Sequence, residues 1–237
     1  YIKPIKEAPD RKMGKGKELP LIDCFRAPCK SGCPFGQDVP EYIELCGKGL
    51  FIEALQVITA KNPLPFITGT ICAHHCMDKC MRNHYECPVN IRGTKLQAAE
   101  GAFEELLAIT EMSREGEKVA IIGGGPAGLA AAYHAQKHGL QATVFEKRET
   151  LGGIVRNVIP GFRIDDDAID NDVALIKKTG AEFVMGKEAP DVKELKAMGF
   201  DYIVLACGAE KKGRLNIEGS VMNVIDFLYA FKNGGEL

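Results

Sequence analysis

Eight of the chain's nine cysteines fall between Cys24 and Cys87, and they are the first residues whose spacing suggests chemistry. The pattern is Cys24-x4-Cys29-x3-Cys33-Pro34, then Cys72-x3-Cys76-x3-Cys80, with Cys46 between the runs and Cys87 after them. An odd thiol total and the lack of an export-like segment fit a disulfide framework poorly. Thiolates concentrated in this way suit iron-sulfur clusters or zinc. Zinc sites usually present paired C-x2-C knuckles, and none occurs here. On a helix, Cys72, Cys76 and Cys80 would share one face, and successive thiols could serve two neighbouring clusters. His74 and His75 lie between them, but adjacent side chains rarely ligate one metal, so both read as solvent-facing or as supporting the ligands from behind.

A second chemical pattern begins at Gly123-Gly124-Gly125-Pro126-Ala127-Gly128, which satisfies G-x-G-x-x-G. The first glycine permits a tight turn and the second lets the backbone approach a pyrophosphate. The third allows close packing of helix on strand, and the helix N-terminus faces the anion. Glu146 follows 23 residues after Gly123 at the end of the next apolar run, placed to accept both hydroxyls of an adenosine ribose. NAD would satisfy the same physics. Leu151-Gly152-Gly153 resembles the E-x5-GG continuation of two-dinucleotide flavoproteins, and Ile203–Gly208 resembles the apolar strand ending in "ATG" in those proteins. Both favour FAD. The candidate cofactor-binding residues are Gly123, Gly125, Pro126, Ala127, Gly128, Glu146, Lys147, Gly152, Gly153 and Arg156. Cys207 stands where that strand usually has Thr and reads as a small buried residue. No acid, base or nucleophile is required for electron transfer, so no catalytic side chain is nominated.

Two kinds of segment must position these residues. Before about residue 115 the chain reads as helices and loops, with helical segments at 39–46, 49–59 and 94–112, the last carrying Leu96, Ala99, Phe103, Leu106 and Leu107 on one side. Asn62-Pro63-Leu64-Pro65 interrupts them, because proline disfavours helical geometry in the residue before it. Residues 113–117 are polar and read as a linker. Beyond them strands at 119–122, 141–145, 181–185 and 202–206 alternate with helices at 127–138 and 166–179, which implies a parallel sheet. The expected fold class is therefore α plus α/β. A flexible arm at 1–18 precedes a helical cysteine-rich domain at 19–115 and a Rossmann-like FAD-binding domain at 116–237.

The bulk composition excludes several alternatives. Of 237 residues 46% are hydrophobic and 26% charged, with a formal net charge of −2, so neither nucleic acid nor an anionic membrane is indicated as a partner. No apolar run approaches the roughly 18 to 20 residues needed to span a bilayer, and a cytoplasmic location is expected.

Taken together, the cysteine runs, Asp38-Val39-Pro40-Glu41-Tyr42-Ile43, Asn62-Pro63-Leu64-Pro65, Pro88-Val89-Asn90-Ile91 and Ile159-Pro160-Gly161-Phe162-Arg163 resemble one family in their order. That family comprises the glutamate synthase small subunit and the N-terminal region of dihydropyrimidine dehydrogenase, and the selenate reductase branch is the most similar. The resemblance implies FAD and one or two [4Fe-4S] clusters, one held by Cys24, Cys29 and Cys80, the other by Cys33, Cys72 and Cys76. It also implies departures at both fourth-ligand positions, where Leu21 and Lys95 stand. Cys87 is the nearest unused thiol, and Cys46 is a weaker substitute. A second dinucleotide motif for NAD(P)H is not found in these residues and belongs to the full-length protein. The expected role is electron transfer between FAD, reduced by NAD(P)H, and the clusters, onward to an accepting subunit or domain. Two alternatives stand beside it: an NAD-dependent dehydrogenase with structural zinc, and a degenerate non-enzymatic docking module.

Overall fold

Prolines start several of the helices in the cysteine-rich half, where the missing N–H costs nothing and the fixed φ favours the first turn. Pro28 opens α1 (Pro28–Gly32), Pro40 lies in the first turn of α2 (Val39–Gly47), and Pro65 opens α4 (Pro65–Ile71) after α3 (Phe51–Thr59). A short α5 (His75–Asp78) and a 3-10 turn (Met81–His84) precede the long α6 (Ile91–Ile109). The computed structural model describes residues 27–84, 86–112, 115–209 and 221–235. The expected arm at 1–18, Leu21, Cys24 and part of the polar linker lie outside them. The chain divides into two units, Tyr1–Leu106 and Leu107–Leu237.

In the first unit, α6 begins and ends three residues earlier than its sequence pattern suggests. It buries Ile91, Lys95, Ala98, Ala99, Ala102, Phe103 and Leu106, a stripe at helical spacing that includes one lysine. Ile91 and Ala98 form a core with Val39, Tyr42, Ala54 and Ile58, and Cys29, Cys46 and Cys76 pack against it. Gly69 lets α4 approach α6, since a Cβ there would lie 2.9 Å from Leu96 Cβ. Phe66 and Phe103 meet edge to face, 5.0 Å between ring centroids, across the same contact.

In the second unit β1 (Lys118–Ile122), α7 (Pro126–Lys137), β2 (Gln141–Glu146), α8 (Gly153–Asn157), α9 (Asp166–Lys178), β3 (Glu182–Met185), α10 (Val192–Ala197) and β4 (Tyr202–Leu205) follow in turn. α11 (Val224–Asn233) comes last and buries none of its residues. The four strands are parallel in the order β3-β2-β1-β4. The run Val119, Ala120 and Ile121 is buried on both faces, as the continuous apolar pattern of a central parallel strand requires. Asp165 caps α9, accepting from Ala168 N at 2.8 Å, and Ile169, Val173 and Ile176 of that helix are buried. Asp191 and Glu194 form a capping box on α10. Among the described residues, no helix is long and apolar enough to cross a membrane.

Candidate functional site

The strand order puts a topological switch beside β1: the chain moves outward through β2 and β3, then returns to pair β4 on the other edge of β1. Ligands of open α/β sheets bind outside the carboxyl ends of the strands at such a point. A cleft of about 680 Å³ lies there, lined by Ile122, Glu146 and Leu205 from the ends of β1, β2 and β4, and by Gly125 and Pro126 at the start of α7. Gly123 N donates to Phe145 O at 2.8 Å and Ala206 N to Ile122 O at 2.8 Å, so the strand ends remain joined to its rim.

The glycines fall into two groups by what a side chain would meet. A Cβ at Gly128 would lie 1.8 Å from Gly123 O, and one at Gly123, where φ is +111°, would lie 2.4 Å from Ala206 O. The chain's own packing therefore requires both to be bare. A Cβ at Gly125 would be 3.7 Å from its nearest neighbour, Gly153 Cα, an ordinary contact. Gly125 is the N-cap of α7, whose first turn has no side-chain cap, so its bareness keeps the backbone there open towards the cleft. The Gly152-Gly153 doublet braces this turn. Gly152 N donates to Gly124 O at 2.8 Å, and Gly153, at φ +54°, has room only for hydrogen because a Cβ would lie 2.9 Å from Gly125 Cα.

Glu146 is buried at the floor of the cleft. Its Oε2 accepts from Gly124 N at 2.7 Å and its Oε1 from Arg148 N at 2.9 Å. Each carboxylate oxygen has a second lone pair, so the group can anchor the turn and still accept from a ligand. Of the residues nominated from sequence, Gly123, Gly125, Pro126, Ala127, Glu146, Lys147 and Gly153 line the cleft. Gly128 and Gly152 support it from behind. Arg156 turns elsewhere: Nε donates to Leu151 O at 2.7 Å, and its guanidinium pairs with Asp170 and lies 3.6 Å from Asp166. Arg148, Glu188 and Cys207 line the cleft without having been nominated. Cys207, expected to be buried, is exposed at its edge, because it lies just past the last paired residue of β4.

In the first unit the reading of Cys72, Cys76 and Cys80 as one helical face does not hold. Cys72 ends α4 in an extended conformation, and His74, at φ 47° and ψ 40°, breaks the path before α5. A non-glycine residue in that region is uncommon and marks a deliberate turn. The break distributes the cysteines differently. Gly32 of α1 lies against α5, where a Cβ would meet Lys79 Cγ at 2.9 Å, and this approach brings α1's thiols to those around α5. Burial pushes the Cys76 thiol up, and the nearby thiols of Cys33 and Cys72 push it further, while the charge of Lys95 opposes them. Burial raises the Cys29 thiol as well, and its cysteine neighbour is Cys80. Tyr42, buried in α2, is raised by burial and by Cys76, Cys33, Cys29 and Cys72, so it lies within reach of these thiols.

Among the described cysteines, α1 carries Cys29 and is followed by Cys33, α4 is followed by Cys72, and α5 carries Cys76 with Cys80 just beyond it. Cys46 Sγ donates to Thr94 O at 3.9 Å, and Cys87 is exposed. His75 faces solvent as expected, 3.8 Å from Asp78, whereas His74 is half-buried with its Nδ1 enclosed and unpartnered. Among the described residues, no three His, Cys, Asp or Glu side chains stand close enough to hold a single metal ion.

Residues 20–106 match the family described as dihydropyrimidine dehydrogenase domain II, 4Fe-4S cluster, and residues 121–180 match the NAD(P)-binding Rossmann-like domain. The chain is 38% identical to YgfK of Escherichia coli K12 across 97% of its own length, and 34% identical to the glutamate synthase [NADPH] small chain of Mycobacterium tuberculosis H37Rv across 84%. It is 33% identical to the NADPH-Fe(3+) oxidoreductase subunit beta of Geobacter sulfurreducens across 88%. It spans 23%, 41% and 32% of those proteins, respectively. The chain therefore joins a 4Fe-4S domain of the dihydropyrimidine dehydrogenase domain II family to an NAD(P)-binding Rossmann-like domain, and it is homologous over most of its length to a family of oxidoreductases that includes the glutamate synthase small chains.

Proposed function

We propose that this chain is an electron-transfer module in which the cleft of the second unit binds FAD and the cysteines of the first unit hold [4Fe-4S] clusters. The observation that carries the reading is the match of residues 20–106 to a family described by its 4Fe-4S cluster, in a unit where α1, which holds Cys29, packs against α5, which holds Cys76. A zinc ion draws its ligands to one point about 2.3 Å from each sulfur. A cluster holds its thiolates farther apart, because an inorganic iron-sulfide core lies between them. The described thiols do not converge on a single point, an arrangement that suits a cluster better than structural zinc. In this reading Cys24 joins Cys29 and Cys80, and Cys87 is the nearest candidate in sequence for a remaining position.

The Rossmann unit fits a dinucleotide through its bare Gly125 and buried Glu146. Gly125 and the first turn of α7 would receive the pyrophosphate, and Glu146 would accept from the ribose hydroxyls while Gly124 and Arg148 hold it in place. Flavin supplies the chemistry that exchanges a hydride pair for single electrons; the protein supplies position and potential. The partner is an accepting subunit or domain, and NAD(P)H is the reductant of the full-length protein. The similarity of residues 121–180 to NAD(P)-binding domains favours one competing reading, in which the cleft takes the nicotinamide dinucleotide itself.

Iron, acid-labile sulfide and extractable flavin, measured on protein purified without oxygen, test both. About eight irons with one FAD per chain are expected for two clusters. Retained NAD(P)H without flavin overturns the FAD assignment, and bound zinc without sulfide overturns the clusters.

A further inference from the structure

The peptide unit between Leu151 and Gly152 is held from both sides. Its N–H donates to Gly124 O at 2.8 Å, and its carbonyl accepts from Arg156 Nε at 2.7 Å. The two groups of a trans peptide point in opposite directions, so the glycine turn and the arginine fix the plane between them. Gly153 follows that plane and packs so closely on Gly125 that a Cβ would lie 2.9 Å from Gly125 Cα. Gly125 caps α7, and both glycines line the cleft. Arg156 therefore bears on the cleft without lining it, because a tilt of the Leu151–Gly152 plane would move Gly153 against the turn.

The guanidinium is itself held on its other side. It pairs with Asp170, and its Nη1 lies 3.6 Å from Asp166 Oδ2. Asp166 has a second cation, Lys232 of α11, whose Nζ is 3.6 Å from Oδ1 and donates to Ile159 O at 2.9 Å. Asn233 beside it donates to Asn157 O at 3.2 Å. α11 leaves Val224, Phe227 and Phe231 exposed, and this polar end is where it meets α8 and the residues after it. The Arg156 and Lys232 side chains are only 14% and 15% exposed, so salt and solvent screen them less than they screen a surface pair.

We propose that Arg156 is a positioning residue for the dinucleotide: it sets the Leu151–Gly152 peptide against the glycine turn, and Asp166 couples it to Lys232, so that the docking of α11 tunes the affinity of the cleft. The inference rests on the dinucleotide reading above and holds for FAD and NAD(P)H alike, since both carry an adenosine and a pyrophosphate. Loss of Lys232 frees Asp166 and loosens the frame that aims Arg156. Loss of Arg156 removes the link altogether.

Isothermal titration with ADP, which carries those two groups, tests the proposal on the full chain beside thermal unfolding without ligand. Arg156→Met should weaken ADP binding about tenfold and Lys232→Met about threefold. Coupled residues are not additive, so the double variant should bind no worse than Arg156→Met. Lys232→Arg restores the pair and should bind ADP as the parent does. Ligand-free Lys232→Met should unfold at the parent's temperature, which separates aim from stability. Losses that add in the double variant, or parent-like binding by Lys232→Met, overturn the coupling, and unchanged binding by Arg156→Met overturns the positioning role. A fall in unfolding temperature that matches the loss of affinity makes the contact merely structural and also overturns it. If Arg156→Met does not fold, the same cycle on Asp166→Asn and Lys232→Met decides: similar, non-additive losses support the coupling, and additive or absent ones overturn it. A parent protein that binds none of ADP, FAD and NADPH refutes the dinucleotide reading itself, an outcome distinct from each of these.

Discussion

The side chain of Glu146 and the backbone N–H of Gly124 meet at 2.7 Å, joining the carboxyl end of β2 to the turn that leaves β1. The contact is local in space but spans 22 residues of sequence, and Leu151 reinforces it by packing where a Gly124 side chain would sit, 2.6 Å from such a Cβ. One carboxylate therefore serves the fold before any ligand arrives. The shape of the cleft and the presence of its acidic acceptor come from the same residue.

Replacing Glu146 with Ala should damage stability and binding together. Gly124 N–H would lose its acceptor in a buried position, at a cost of about 1–3 kcal/mol. Urea unfolding without added dinucleotide should show that loss as a lower midpoint, and extractable flavin should fall at least tenfold. Glu146→Gln keeps one carbonyl oxygen and should recover part of the stability. An Ala variant as stable as the parent would show that the anchor contributes nothing.

Gly125→Ala and Gly128→Ala should separate folding from binding. The added methyl of Gly128→Ala would lie 1.8 Å from Gly123 O, which no backbone can accommodate, so this variant should express poorly or melt far below the parent. The methyl of Gly125→Ala meets nothing closer than 3.7 Å at an ordinary φ of −78°, so thermal unfolding of the ligand-free protein should be nearly unchanged. Its flavin content should nonetheless drop at least tenfold, because the methyl occupies the approach to the start of α7. Equal flavin retention in Gly125→Ala and parent would remove the pyrophosphate from this turn.

These glycines were legible in the sequence because strand, turn and helix each leave a local signature: an apolar run, a fixed glycine spacing, and a change of period. The parallel sheet followed from the same alternation, and its strands fall within a residue or so of the expected bounds. The cysteines were less legible. An x3 spacing at positions 72, 76 and 80 matches a helix, and nothing in the residue types reveals that His74 takes a left-handed conformation between them. Arg156 is expected at the cofactor by its place after the glycine doublet, but Asp166 and Asp170 on α9 claim its charge, and only tertiary packing brings that helix alongside. The burial of Lys95 carried a hint, since it sits in register with Ile91, Ala98 and Ala99, positions that a helix buries together.

Single cysteine variants should divide the iron. Cys33→Ser and Cys76→Ser, which the proposed reading places in one cluster, should each remove about half of the bound iron if two clusters are present, and the double variant should remove no more than either alone. Cys46→Ser should leave iron unchanged, since the Cys46 thiol is engaged with Thr94 O. Iron and sulfide assays under argon decide this. Additive losses from Cys33→Ser and Cys76→Ser would place them in different centres.

The half-buried thiol of Cys46 also predicts a dependence on pH in the metal-free protein. Burial alone raises it above its ordinary value, so the folded state favours the neutral thiol. The stabilisation is therefore fully present below the unfolded thiol's pKa, near 8.5, and is lost as pH rises through the higher folded value. Chemical denaturation of the iron-free protein should show stability falling from about pH 8 upward, and Cys46→Ala should flatten part of that fall. Alkylation with iodoacetamide offers a second measure, because thiolate is the reactive form. Cys87 and Cys207, both exposed, should be modified early at neutral pH, and Cys46 later than either. A Cys46 that reacts as fast as Cys87 at pH 7 would mean that the packing of α2 against α6 opens readily without metal.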